Sequence, residues 1–371
     1  MSGELRNEDL QHMNAALGLA SRGLGSTFPN PAVGCVLVNN GTVVGRGFTQ
    51  PGGRPHAETE ALAQAGKNAL GATAYVTLEP CSHHGQTPPC AEALISAGIK
   101  RCVVAMEDPD SRVHGHGLEL LRAAGIEVDV GLCRHEAEEL NAGFFTRIRH
   151  GRPLVTLKVA TSLDGRIATK SGQSKWVTGE AARRAGHMLR VRHDAILVGS
   201  GTAVLDNPRL DVRLEGLEKH SPIRVVMDGR LRLPLTHDLV MRAKECQTIL
   251  MTFKDNEPAR VDAYRDSGVD VVSLIKDEYG YISPAAALRE LGERGITRLL
   301  VEGGSHIIGS LLKAGLVDRI VWFRAAKVIG GDGVAASVGF GLDQLKLAPK
   351  FHLTSVSKLG DDIMETYRRD L

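Results

Sequence analysis

Aromatic residues are scarce in this chain, at 4%, and no surplus of charge accompanies them: 45 Lys and Arg stand against 43 Asp and Glu. Proteins that hold nucleic acid need a basic footprint, and those that hold single strands add aromatic stacking platforms. Neither is present, so nucleic acid is not an expected partner. No apolar run approaches the ~18 residues of a membrane span, and the N-terminal MSGELRNEDLQHMN lacks a signal peptide's apolar core. No membrane association and a cytoplasmic location are the expectation. With 6 cysteines in 371 residues the chain is no disulfide scaffold. Cys35 (VGCVLV) and Cys102 (RCVVAM) lie in apolar strand-like runs and read as small buried thiols. Cys133 and Cys246 have no partner at motif spacing.

The two remaining cysteines organise the first half. PHAETEALAQAG (55–66) supplies His56 and Glu58, and LEPCSHHGQTPPC (78–90) supplies Cys81 and Cys90. A neutral imidazole and two thiolates are good zinc ligands, and three protein ligands leave the fourth position open for water. Glu58, two residues past His56, suits a proton shuttle from that water to a leaving amine. His-Ala-Glu followed by Pro-Cys and a further Cys is the pattern of zinc-dependent base and nucleoside deaminases. Those usually read Pro-Cys-x-x-Cys, whereas eight residues separate Cys81 from Cys90. His83 and His84 lie on that long loop, where each either touches substrate or is solvated. VHGHG (113–117, with His114 and His116) reads as a glycine-rich pocket wall.

Taken in order, residues 8–22 have helical spacing, AVGCVLV is a buried strand, and Asn39-Asn40-Gly41 is a hairpin turn. Asn30, held between Pro29 and Pro31, reads in isolation as a turn residue. The hairpin and His-Ala-Glu that follow favour a hydrogen bond to a base edge instead. HAETEALAQAG starts a helix, TAYVTL is a strand into Glu79-Pro80-Cys81, and Pro88-Pro89 pre-sets a helix with Cys90 at its N-terminus. There the dipole and free N–H groups predict a Cys90 thiolate. RCVVAM, LELLRAAG, IEVDV and HEAEELNAGFF continue the strand–helix alternation, which predicts an α/β layered domain. TRIRHGRP contributes a short linker.

Strands and helices then begin again. The second half carries K-x-A-x-S-x-D-G (Lys158, Ser162, Asp164, Gly165), then Ser174-Lys175-Trp176. Two strand–glycine–helix segments follow, ILVGSGTAVL (196–205) and RLLVEGGSHIIGSLLKAG (298–315). That local geometry binds anions such as a pyrophosphate, although the Rossmann G-x-G-x-x-G is absent.

The PCSHHGxTPPC loop, with Pro29-Asn30-Pro31 upstream, resembles the pyrimidine deaminases of riboflavin biosynthesis. With the second-half segments added, almost the whole chain resembles the bifunctional deaminase–reductase family of that pathway. The resemblance implies an α/β chain with an N-terminal cytidine-deaminase-like three-layer domain (1–146), a linker (147–153) and a C-terminal dihydrofolate-reductase-like domain (154–371). It implies Zn2+ held by His56, Cys81 and Cys90 with Glu58 catalytic, deaminating 2,5-diamino-6-ribosylamino-4(3H)-pyrimidinone 5′-phosphate. It then implies NADPH-dependent reduction of the ribosyl chain to ribityl. Ala160, Trp176, Thr202 and Asp206 match cofactor-contacting positions, as do Gly304, Ser305, His306, Ile307, Ile308, Gly309 and Ser310. Ser174, Arg190, Leu210, Arg213 and Glu302 match substrate-contacting ones, with Arg190 and Arg213 suited to clamp the phosphate. Asp164 reads chiefly as a structural turn residue. A homodimer is also implied.

Three positions depart from the family pattern: Gln86 in place of Arg, Asp110-Ser111 in place of Asn-Pro, and Gly229 where some members have Ser. Two rivals compete. A nucleic-acid base deaminase with an appended binding domain calls for a basic, aromatic-rich surface. A structural zinc domain fused to a nucleotide sensor calls for four protein ligands.

Overall fold

The computed structural model describes residues 2–82, 88–109 and 115–369, and the chain divides into two compact units, 1–150 and 151–371. His83, His84, Gln86, Asp110, Ser111 and His114, for which the sequence sets expectations, lie outside the described residues.

The first unit begins with helix α1 (Ser2–Ala20), followed by strands β1 (Gly34–Asn39) and β2 (Thr42–Phe48). Asn40 and Gly41 adopt φ of 48° and 73°, the paired positive angles that a two-residue hairpin turn demands. Helix α2 (Ala57–Ala65), β3 (Thr73–Val76), α3 (Cys90–Ser96), β4 (Arg101–Val104), α4 (His116–Ala123), β5 (Glu127–Val130), α5 (Arg134–Leu140) and α6 (Ala142–His150) complete it. The sheet order is β2-β1-β3-β4-β5. It is antiparallel around β1 and parallel from β3 to β5.

Missing side chains set the layers. Gly45 and Gly47 lie opposite Leu37 and Cys35, and a Cβ on either would fall 2.2 or 2.1 Å from a carbonyl oxygen of α2. Gly34, one step out of phase, would meet the Ala16 carbonyl of α1 at 1.9 Å. Side chains alternate across a strand, so α1 and α2 cover opposite faces and the unit has three layers. Arg101 of β4 pins α1 by a bidentate pair to Asp9 at 2.9 Å. Cys35 and Cys102 are fully buried in this core, as their sequence context predicts.

HEAEELNAGFF forms two helices rather than one. The break falls at Asn141, whose buried amide turns away to pair with both backbone groups of Ala32, at 2.9 and 3.0 Å. Residues 147–150 form the last turn of α6, which leaves 151–153 between it and the next strand.

The second unit contains β6 (Leu154–Thr161), β7 (Arg166–Ala168), α7 (Glu180–Val191), β8 (Ala195–Gly199), α8 (Ser200–Asp206), β9 (Ile223–Met227), α9 (Asp238–Met241) and β10 (Thr248–Phe253). It continues with α10 (Pro258–Asp266), β11 (Asp270–Leu274), α11 (Pro284–Glu293), β12 (Arg298–Val301), α12 (Ser305–Lys313), β13 (Arg319–Arg324), β14 (Val334–Ala335), β15 (His352–Leu359) and β16 (Asp362–Arg368). Nine strands run in the order β11-β10-β9-β8-β12-β6-β13-β16-β15. The seven from β11 to β13 are parallel, and β8, β10 and β12 are buried along their whole length, as strands covered on both faces must be. The closing β15–β16 hairpin is antiparallel. No helix among the described residues is long and apolar enough to cross a membrane.

Candidate active sites

Two helix starts and one strand end build the first site. His56 is the N-cap of α2 and Cys90 the first residue of α3, while Cys81 follows β3 by five residues. His56 Nδ1 lies 3.3 Å from Cys90 Sγ and 3.6 Å from Cys81 Sγ. Tetrahedral zinc with ordinary Zn–N and Zn–S bonds separates such donors by about 3.6 Å, so the three residues fit the ion. Among the described residues they are the one set of three donors at metal-ligand distance. That leaves a coordination position open, as a catalytic rather than structural site requires.

Glu58 is buried in the first turn of α2, in hydrogen-bond contact with the Cys90 thiol. Burial, reinforced by the neighbouring Cys81 thiolate, raises its pKa to about 7, where a carboxyl group can both take and give a proton. Within the sulfur pair, hydrogen bonds from the Cys90 side chain, His56 and the Cys90 backbone N–H (3.3 Å) lower the Cys81 pKa, while Cys81 and burial raise that of Cys90. The helix start thus acts on the sulfur of the neighbouring ligand. Metal binding requires release of the remaining thiol proton.

The sequence marks Glu79 only as the residue before Pro80-Cys81; its side chain anchors the loop bearing Cys81. Its buried carboxylate accepts the N–H groups of Asp108 (3.1 Å), Gly115 (3.0 Å) and Gly117 (2.9 Å). Its one signal was a carboxylate in an otherwise apolar strand end. Asn30 donates an amide N–H to the carbonyl of Gly53 at 3.0 Å, three residues before His56.

The second site is a cavity of about 490 Å3 at the carboxyl ends of β6, β8 and β12, where open parallel sheets bind ligands. Ala160, Ser174, Trp176, Arg190, Thr202, Asp206, Leu210, Arg213, Glu302, Gly304 and Ile308 line it. Ser305, His306, Ile307, Gly309 and Ser310 do not; Ile307 packs on Gly199, and Gly309 lies against Val338.

At the cavity floor Arg190 grips Glu302 through two bonds of 2.7 and 2.9 Å and gives a third to the Asp211 carbonyl at 2.8 Å. Lys158 Nζ stands 3.7 Å from the same carboxylate. Burial opposes the Glu302 charge, yet Arg190 and Lys158 overcome it and hold its pKa at about 2. The guanidinium expected to clamp phosphate is therefore already engaged by a carboxylate. Asp211 pairs with Arg209 (2.6 Å) and Arg213 (2.5 Å) at the mouth. Lys158 was visible in sequence only as part of K-x-A-x-S-x-D-G. At Gly229 an added Cβ would meet the Phe253 ring at 2.4 Å, so this departure from the family pattern accommodates a ring. A second concavity of about 660 Å3 shares Arg209 and Arg213 but touches none of the cofactor positions.

An open three-donor metal site with a buried carboxylate, joined in one chain to a parallel-sheet unit with a charged cleft, defines a metal-type deaminase fused to a second α/β enzyme. Residues 6–106 match the cytidine and deoxycytidylate deaminase zinc-binding region, and residues 153–364 match the RibD C-terminal domain. The riboflavin biosynthesis protein RibD of Aquifex aeolicus is 45% identical across 98% of this chain and 99% of its own length. That of Escherichia coli is 41% identical, covering 96% of this chain and 98% of its own. Acinetobacter baumannii RibD superposes with a TM-score of 0.88 at 38% identity, covering 98% of this chain and 99% of that one. A Thermotoga maritima structure described as a diaminohydroxyphosphoribosylaminopyrimidine deaminase/5-amino-6-(5-phosphoribosylamino)uracil reductase gives 0.87 at 34% identity, over 98% of this chain and 99% of that one. The chain belongs to the RibD family, and its units are a cytidine-deaminase-like domain and a dihydrofolate-reductase-like reductase domain.

Proposed function

We infer that this chain carries out two steps of riboflavin biosynthesis. The first unit hydrolytically replaces the 2-amino group of 2,5-diamino-6-ribosylamino-4(3H)-pyrimidinone 5′-phosphate with oxygen, and the second reduces the ribosyl chain to ribityl with NADPH. The observation that carries the reading is the His56–Cys81–Cys90 triangle with Glu58 against it, in tandem with a reductase domain.

His56, Cys81 and Cys90 would hold zinc, which supplies Lewis acidity toward an attacking water. Glu58 accepts that water's proton and returns it to the departing amine, so ammonia leaves and the carboxylate is regenerated. Asn30 orients the base edge. In the second unit Ala160, Trp176, Thr202, Asp206, Gly304 and Ile308, which line the cavity, cradle NADPH. Ser174, Leu210 and Arg213 bind the phosphorylated substrate. With Asp211 beside it, Arg213 presents a half-exposed guanidinium to a phosphate, while the Arg190–Glu302 pair supports the cavity floor. A cytoplasmic homodimer acting on a small molecule, without nucleic acid, completes the proposal on the family resemblance and near-balanced charge. A nucleic-acid base deaminase is not favoured, because the second half matches a reductase domain.

Mass spectrometry of the pyrimidinone phosphate after incubation with zinc-loaded protein tests both steps. Exchange of amino for oxygen without cofactor, and gain of two hydrogens only with NADPH, is expected. Deamination alone would remove the reductase assignment, and an unchanged mass in both tubes would remove both.

A further inference from the structure

Asp164 and Lys327 have no part in the chemistry above, yet they join two loops remote in sequence. The first, residues 162–177, leaves β6, carries β7 and ends on Ser174 and Trp176 at the cavity. The second, residues 326–338, leaves β13, carries β14 and ends where the Val338 N–H donates to the carbonyl of Ser305, the first residue of α12, at 3.2 Å. The Asp164 carboxylate accepts the Ile329 N–H at 3.1 Å, the Gly330 N–H at 2.7 Å and the Ser162 hydroxyl at 2.5 Å. The Lys327 ammonium donates to the Trp176 carbonyl at 2.9 Å, and the Lys327 carbonyl accepts the Leu163 N–H at 2.7 Å. Val334 pairs with Ala168, and the Ala336 N–H reaches the Gly165 carbonyl at 3.2 Å. The backbone beneath Trp176 and the start of α12 are thereby tied together.

We propose that Asp164 and Lys327 are positioning residues for the dinucleotide, a latch that fixes Trp176 relative to the Gly304–Ser305 turn before the cofactor arrives. This rests on the NADPH reading and extends it to residues that do not touch NADPH. The Trp176 ring is 61% exposed and stacks with the Arg183 guanidinium at 4.8 Å, so its backbone anchor decides where it stands. Ordering two independent loops on binding loses affinity, and a prior link between them removes that loss. The charged Asp164 acceptor is well supported: the Ser162 hydroxyl and the Gly330 and Ile329 N–H groups hold its pKa at about 2.

NADPH titration followed by quenching of tryptophan emission tests this on the full chain. Lys327→Ala and Asp164→Asn are expected to weaken NADPH roughly tenfold, the size of one charge-assisted hydrogen bond. The reductase KM for NADPH should rise while kcat stays within about twofold, deaminase activity should be unchanged, and Lys327→Arg should restore affinity. If the parent binds NADPH and Lys327→Ala binds it equally well, the latch is refuted and the cofactor reading stands. If the parent shows no binding, the cofactor reading falls and the latch with it. Parallel loss of deaminase activity would show a general folding defect and would also overturn the latch.

Discussion

Glu58 is the residue at which burial and chemistry meet most directly. Its carboxyl is withdrawn from water at a helix start, so its pKa climbs toward neutrality, where a proton is cheaply taken up and released. Glu58→Gln keeps size and hydrogen bonding but removes proton transfer. Deamination should fall by about 10²- to 10⁴-fold while bound zinc, measured by atomic absorption, stays at the parent level. Turnover near the parent rate would remove the shuttle role. This residue and the three metal donors were legible because their chemistry sits in two short motifs. Glu79 and the Arg190 partnership were not. The Arg190 partner lies 112 residues away at Glu302, and no local pattern announces that a guanidinium will meet a carboxylate before a phosphate.

At the scale of elements, the alternating strands and helices could be read, and so could the β1–β2 turn. The layering could not, because it depends on which glycines face which helix. Gly47 has no unusual backbone angle; it is needed because α2 approaches so closely that an added Cβ would meet the Ala57 carbonyl at 2.1 Å and the Ala61 nitrogen at 2.7 Å. Gly47→Ala must push α2 outward, at a cost of about 1–3 kcal/mol, and α2 carries His56 and Glu58 at its start. Deaminase activity should therefore be lost at a lower temperature than in the parent, with reductase activity lost at the parent's. Equal heat sensitivity of the deaminase in parent and variant would show that the helix has room. The break at Asn141 was hidden for a similar reason: its amide is claimed by Ala32, a long-range partner invisible to helical periodicity.

At the scale of the molecule, both tryptophans, Trp176 and Trp322, lie in the second unit, so tryptophan emission reports that unit alone. His193 is buried there, with Nδ1 2.6 Å from the Leu189 carbonyl and no partner for Nε2 among the described residues. Burial, aided by Arg298, lowers its pKa from 6.5 to about 3. Below pH 6.5 the unfolded chain binds a proton that the folded unit refuses, so stability falls with falling pH until about 3. The contribution approaches 1.36 kcal/mol per pH unit at its steepest, about one proton. Urea unfolding at pH 7.0 and 5.5, followed by tryptophan emission, should show this loss, and His193→Asn should be less pH-sensitive though weaker at pH 7.0. Identical pH sensitivity in both would assign the effect to other groups.

The same optical isolation tests whether the two activities are carried by separately stable bodies. One buried core runs from Met13 to Phe145, while the clusters around Ile196 and Phe323 lie wholly beyond residue 151. Metal binding stabilises only the fold that preforms its site, and all three donors belong to the first unit. Cys90→Ser should thus lose zinc and deamination, lower the first unit's unfolding temperature, and leave both reductase turnover and the tryptophan-detected transition where they were. Chelation of the parent should do the same, reversibly. If the tryptophan transition moved in step with metal loss, the two cores would be unfolding as one, and independent control of the two reactions by mutation would not be available. If Cys90→Ser kept its zinc, the ligand triangle itself would be wrong, whatever the optical result.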